Sequence, residues 1–430
     1  MEETRTERLS RSARSKRHRK NNSKLTLAAI VVVAVLALTA AAYAIWQAAE
    51  DEASPTSSPH SPGGGGIQAA PPDGHSPGEP IPDEQAPEEG TAPDELSPTE
   101  DDDDPSLPGV GEEQPDTVLL ALVGDVMLAG NVGGMLERNG YDYPYKHVGD
   151  YLRQADIAMG NLENPISERG EPADKQFVFR ASPRVLPELS RSGFDVFSLA
   201  NNHTLDYGWE ALADTRHYLS QAGIRHVGSG VNAEEAYTPV VIEKNGIRVA
   251  SLAFSRVVPD GSWKAKANSP GIADTYDYRP AVEAIALAKE QADIVVVMAH
   301  WGLERKQEPE PYQRDLAKRY IDAGADLIVG SHAHVLQGVE SYNGKWVAYS
   351  LGNFIFTVNA EAGKQHTAIL QAECDKSGDC RLQLVPFALG VAQPTPINDE
   401  QAAALFASLS DVSYNAVIDE TGRAAALTNR

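Results

Sequence analysis

From residue 117 onward, apolar residues come in short unbroken runs instead of alternating with polar ones. Thr117–Val123 (TVLLALV), Asp156–Met159 (DIAM), Phe194–Leu199 (FDVFSL), Ile294–Met298 (IVVVM) and Leu327–Val329 (LIV) read as strands covered on both faces. Between them Glu210–Ala222, Pro280–Gln291 and Tyr312–Ala323 read as helices. Val240–Phe254 and Val339–Phe356 read as hairpins, because Asn245-Gly246 and Asn343-Gly344 suit two-residue turns. The pattern predicts an α/β fold, a mixed sheet layered with helices, whose ligands gather where strands end.

The first 116 residues follow different rules. Residues 25–46, LTLAAIVVVAVLALTAAAYAIW, carry no charge. As a helix they would extend about 33 Å, enough for a bilayer core of roughly 30 Å. Residues 1–24 hold nine Lys/Arg against three Glu, which would keep that end in the cytoplasm. The run predicts a single-pass transmembrane anchor. A cleaved signal peptide is the alternative, since Ala42-Tyr43-Ala44 has the small-x-small form of a cleavage site. Either reading places the main domain outside the cytoplasm. Residues 48–116 contain nineteen Asp/Glu, no Lys or Arg and fourteen prolines, and predict a disordered acidic linker over 47–116. The net charge of −24 therefore describes a tail more than a fold. The chain has two cysteines, Cys374 and Cys380, around a Ser-Gly turn signal. They suit a disulfide across a hairpin better than a zinc site.

Polar residues at the strand ends carry the chemistry. The five runs lead into Gly124-Asp125, Gly160-Asn161-Leu162-Glu163-Asn164, Asn201-Asn202-His203, His300-Trp301-Gly302 and Ser331-His332-Ala333-His334; a later strand leads into Gly352-Asn353. A lone Asp after a strand is usually a cap, and a lone His is usually a satisfied neighbour. Five consecutive exits that all deliver cation-binding groups predict one shared site. Carboxylate, amide and imidazole ligands together suit Mn, Fe or Zn, as one ion or two. Two such ions close together can clamp a phosphate or activate a water between them. In LANNHTLDYG, Asp206 stands three residues after His203, placed either to orient the ring through its other nitrogen or to cap the following helix.

Taken in order, GDVML, GNLENPI, LANNHTLDYG, MAHWG, GSHAHVLQG and YSLGNFIF resemble the capsule-synthesis CapA (poly-γ-glutamate biosynthesis) family over roughly residues 117–390. That family is similar in fold to calcineurin-type metallophosphoesterases. The resemblance implies a four-layer α/β/β/α sandwich over 117–393, with a C-terminal helical extension over 394–430. It implies metal ligation by Asp125, Glu163, Asn202, His300, His332 and His334, with Asn161 and Asn353 supporting them. His203 would face substrate as general acid or electrostatic stabiliser, with Asp206 behind it. Two positions depart from the phosphoesterase pattern: Met127 stands where a histidine is usual, and Asn161 where a bridging aspartate is usual.

The expected function is a membrane-anchored, extracytoplasmic protein of poly-γ-glutamate capsule synthesis. Its expected partners are membrane-embedded synthase components and the polymer itself or another cell-surface polymer, with no nucleic acid. Alternatives are a free-standing metal-dependent hydrolase of phosphoester or γ-amide bonds, and a non-catalytic scaffold with a vestigial site. A polyanionic product would need bound cations or basic residues such as Arg180, Arg184 and Arg256.

Overall fold

The computed structural model describes residues 117–357 and 365–427; the expected cytoplasmic tail, anchor and linker lie outside the described residues. The chain runs β1 (Thr117–Val126), α1 (Gly130–Asn139), α2 (Gly149–Gln154), β2 (Ile157–Leu162), α3 (Leu186–Arg191), β3 (Val196–Ser198), α4 (Gly208–Gln221) and β4 (Arg225–Val227). It continues through β5 (Ser229–Gly230), α5 (Ala233–Ala236), β6 (Val240–Lys244), β7 (Ile247–Ser255), β8 (Gly271–Ile272), α6 (Arg279–Gln291), β9 (Ile294–His300), α7 (Pro311–Asp322) and β10 (Leu327–Ser331). Then come β11 (Val339–Tyr342), β12 (Lys345–Ala348), β13 (Asn353–Ile355), β14 (His366–Asp375), β15 (Cys380–Gly390), β16 (Gln393–Pro396), α8 (Asp399–Asp411), β17 (Ala416–Ile418) and β18 (Ala424–Ala426).

The apolar runs build two sheets. The first has the order β16-β15-β14-β1-β2-β3-β4, with β13 also paired to β1; the second has the order β11-β12-β10-β9-β7-β6. One face of each sheet contributes to a shared core that includes Leu120, Met159 and Leu370 from the first and Val249, Val296 and Leu327 from the second. The opposite face of the first sheet packs under α1, α2, α3 and α4, through Leu136, Leu152, Leu189 and Leu212. The opposite face of the second packs under α6 and α7, through Ile285 and Leu316. Unbroken apolar runs are what such doubly covered strands require.

Both Asn-Gly turns adopt the left-handed backbone expected of a two-residue hairpin, with φ of 53° and 71° at Asn245-Gly246 and 51° and 77° at Asn343-Gly344. The second hairpin is shorter than predicted. It closes at Ala348, and Asn353–Ile355 crosses over to pair in parallel with β1 in the other sheet. Gly352, at φ 66°, lies in the segment that makes this crossing. The C-terminal stretch holds α8 and a small β17–β18 hairpin, and Phe406 and Leu409 enter the core between the sheets. Cys374 and Cys380 sit opposite each other on β14 and β15 and are disulfide-bonded. Among the described residues, no helix is long and apolar enough to cross a membrane.

One glycine decides how closely the β1 exit approaches the crossing segment. A Cβ on Gly124 would lie 1.9 Å from the carbonyl oxygen of Gly352, a backbone atom that cannot swing aside. That carbonyl accepts the Asp125 backbone N–H at 2.9 Å. Gly124→Ala is therefore expected to destabilise the fold by about 1–3 kcal/mol, as overpacking does, measured by denaturant melts against the parent chain.

Candidate metal centre

The strand pairing aligns the predicted residues along one edge. Asp125 on β1 is in register with Asn161 on β2 and with Asn353 on β13. Asn161 is in register with Ser198, just before the Asn201–His203 segment, and His300 is in register with Ser331. The two sheets meet here, where the His332 N–H donates to Asp125 Oδ2 at 3.2 Å. His332 and His334 both hold positive φ, 82° and 56°, a conformation that costs a non-glycine residue energy and concentrates at functional sites.

Among the described residues, two groups of side chains bring ligand atoms within 4.8 Å of one another: Glu163 with His300 and His332, and Glu304 with His332 and His334. His332 belongs to both, and Asp125 to neither. Glu163 Oε1 lies 3.8 Å from His300 Nε2, and that same nitrogen contacts Asn202 Oδ1 at 2.8 Å. His300 Nδ1 contacts the Ser331 hydroxyl at 2.9 Å. Two buried atoms of the first group, Glu163 Oε1 and His332 Nδ1, have no hydrogen-bond partner among the described residues. Buried polar atoms are normally paired, so an unpaired carboxylate oxygen and an unpaired imidazole nitrogen in one group fit a cation.

The electrostatics agree. Burial pushes the Glu163 carboxyl well above its ordinary range, and the nearby negative charge of Asp125 pushes it further. Burial drives His300 well below the usual imidazole range, with His332 adding to the effect. His332 falls to about 3, by burial first and by His334 second. Neutral imidazoles keep a free lone pair for a metal, and a destabilised carboxylate gains most from a nearby positive ion.

Asp125 and His334 form the neighbouring half. His334 Nδ1 contacts Asn353 Oδ1 at 2.7 Å and Asp125 Oδ2 at 3.4 Å. Burial would raise the Asp125 carboxyl, but the hydrogen bond and charge of His334 outweigh it and hold it low. Met127 is buried among the apolar residues under the first sheet and offers no hard ligand.

His203 stands beside the centre. Its Nδ1 lies 2.8 Å from Asp206 Oδ2 and 3.2 Å from Lys175 Nζ. An ammonium only donates and an ionised carboxylate only accepts, so the shorter contact assigns Nδ1–H as the donor to Asp206. Burial, reinforced by the Lys175 charge, lowers His203 despite Asp206, leaving Nε2 as the acceptor of a neutral ring. Asp206 does not cap α4, whose N-cap is Tyr207 with no side-chain cap bond. Its carboxylate instead accepts the Phe179 N–H at 2.7 Å and pairs with Lys175 at 2.5 Å. Phe179 lies against the His203 ring, centroids 5.0 Å apart.

Sequence reasoning missed three contributors. Lys175 sits in an unpatterned polar loop, yet its ammonium also donates to the Asn202 carbonyl at 2.6 Å. Glu304 lies in the non-helical stretch after His300 and reaches His332 and His334 only through tertiary packing, so no spacing in the sequence marks it. Asn201, named in the sequence only as part of the third strand exit, accepts the His203 N–H and donates to the Leu162 carbonyl, holding its neighbours in place. Of the arginines considered, Arg180 stacks over Tyr207 at 4.0 Å, Arg256 over Tyr276 at 4.1 Å, and Arg184 is exposed.

Residues 119–358 match the family described as bacterial capsule synthesis protein PGA_cap. The chain belongs to that family. It is 34% identical over 296 residues to the PGA biosynthesis protein CapA of Bacillus subtilis (strain 168), covering 68% of this chain and 77% of that protein. It is 35% identical over 211 residues to a probable polyglutamine synthesis accessory protein of Mycobacterium tuberculosis (strain H37Rv), covering 46% of this chain and 55% of that one. A hypothetical protein from Thermus thermophilus, solved as a crystal structure, is similar at 16% identity and a TM-score of 0.40, covering 65% of this chain and 100% of that one. The family match spans every residue of both ligand groups, as well as His203, Asp206 and Lys175.

Proposed function

We propose that this chain is a membrane-anchored, extracytoplasmic protein of poly-γ-glutamate capsule assembly, built around a metallophosphoesterase-like centre at its strand exits. The observation that carries the reading is the buried group of Glu163, His300 and His332, with two unpaired lone-pair atoms, in a chain of the capsule synthesis family. The name of its Bacillus subtilis relative supports the polymer assignment, and that of the Mycobacterium tuberculosis relative, a probable polyglutamine synthesis accessory protein, supports an accessory role. The layer order, helices outside two facing sheets, is the arrangement that a calcineurin-type fold implies.

Glu163, His300 and His332 would hold a divalent ion such as Mn, Fe or Zn, with the Asn202 oxygen beside them. When bound, that ion would supply Lewis-acid stabilisation of charge on a phosphoryl or carbonyl oxygen. The chain's own contribution is the neighbouring His203, oriented by Asp206 and presenting Nε2. Lys175 adds positive charge where an anionic substrate would approach. The membrane-embedded synthase components and the polymer are the proposed partners.

Export is supported by the charge-free run at 25–46, the basic segment before it and the Cys374–Cys380 bond, since disulfides persist in oxidising compartments. Protease added to intact cells should remove everything beyond about residue 50 and spare the basic N-terminal end, read by antibodies to tags at the two termini. Protection of the C-terminal tag in intact cells contradicts the topology.

A further inference from the structure

The side-chain amide of Asn161 could point either of two ways, and Asn201 decides between them. Asn201 Oδ1 accepts the His203 backbone N–H at 3.0 Å and the Thr204 hydroxyl at 2.8 Å. Asn201 Nδ2 donates to the Leu162 carbonyl at 2.7 Å and to Asn161 at 3.0 Å. Two of these partners are main-chain groups whose donor or acceptor character cannot change, so the orientation of Asn201 is determined. Asn161 must then turn its oxygen toward Asn201 and its NH₂ the other way.

That NH₂ faces both buried carboxylates. Asn161 Nδ2 donates to Asp125 Oδ1 at 2.8 Å and to Glu163 Oε2. An amide nitrogen presents hydrogens and no available lone pair, so it cannot bridge two cations as a carboxylate oxygen would. The remaining oxygen of Asp125 is also occupied, by the His332 N–H at 3.2 Å and by His334 Nδ1 at 3.4 Å.

We infer that this centre holds a single ion, on Glu163, His300 and His332, and that Asn161 takes the place of a second ion by tying Asp125 to Glu163 through its two N–H groups. Asp125 is then a positioning residue: it holds Asn161, the His332 backbone and His334, and does not ligate the metal. The second candidate group shares His332 with the first, and its Glu304 is exposed. The inference rests on the metal-centre reading proposed above.

Stoichiometry and spin state test it. The full-length chain, purified in detergent and loaded with Mn(II), should contain about one ion per chain by elemental analysis after desalting. Its electron paramagnetic resonance spectrum should be that of an isolated Mn(II) ion. Asn161→Asp places an oxygen between the two carboxylates and should raise the content to about two, with an exchange-coupled signal. Two ions in the parent chain overturn the inference while leaving the metal centre intact. No ion at all overturns the metal-centre reading, and this inference with it. A folded Asn161→Asp chain still holding one ion also overturns it. Should that variant fail to fold, the parent's stoichiometry and spectrum decide alone.

Discussion

His332→Ala is expected to empty the metal centre and lower the melting temperature by about 5–10 °C, the shift produced by losing a ligand bound at a hundred to a thousand times its dissociation constant. His332 belongs to both groups of candidate ligands, and its buried Nδ1 has no hydrogen-bond partner among the described residues. Removing the ring therefore removes a candidate metal ligand without taking a hydrogen bond from that nitrogen. The backbone complicates the reading, because residue 332 sits at φ 82° and alanine tolerates that poorly. His332→Asn is the better-behaved partner variant, since asparagine enters the left-handed region more readily and still lacks the imidazole. Melting each chain with and without chelator separates the two causes. Loss of the metal predicts that parent and His332→Asn melt together once chelator is present. A difference that survives chelation would be structural.

His203→Ala should behave in the opposite way. Metal content and melting temperature should stay near those of the parent, while activity, or polymer output in cells, falls by about 10²–10⁴, the usual worth of a general acid–base group. The geometry supports this separation: His203 lies outside the Glu163, His300 and His332 group, and its Nδ1 is committed to Asp206. Asp206→Asn should lose less activity but more stability. Its carboxylate is fully buried and serves Lys175 and the Phe179 N–H as well as the ring, so neutralising it leaves the Lys175 ammonium short of a counter-charge. That ordering, His203→Ala worse in function and Asp206→Asn worse in melting, would not arise if the pair were merely a structural link.

Much of this arrangement is legible in the sequence alone. Runs such as IVVVM and TVLLALV read as strands buried on both faces, and the polar residue that ends each one has nowhere to go but the sheet edge. His300, His332, Glu163 and Asn202 can thus be grouped from sequence, and the structure brings them together. Spacing cannot say that Asn353 leaves its hairpin and joins β1 in the other sheet, because the crossing depends on a tertiary pairing with Asp125. Nor can it separate Asp125 from the ligand group. In the proposed single-ion centre that division rests on which way two asparagine amides point, and orientation is set by neighbours distant in sequence. Lys175 is invisible for a related reason: nothing in its polar loop shows that Asp206 and the Asn202 carbonyl will hold its ammonium.

The most direct test of the account is the polymer itself, measured in cells whose only copy of this chain carries Glu163→Gln. Glutamine preserves size and one hydrogen-bonding oxygen but removes the charge that burial makes so dependent on a cation. With the variant present at parental abundance in the membrane fraction, cell-surface poly-γ-glutamate should drop to the level of cells lacking the chain altogether. Polymer at the parental level would mean that the chain supports capsule assembly without this centre, and would contradict the account.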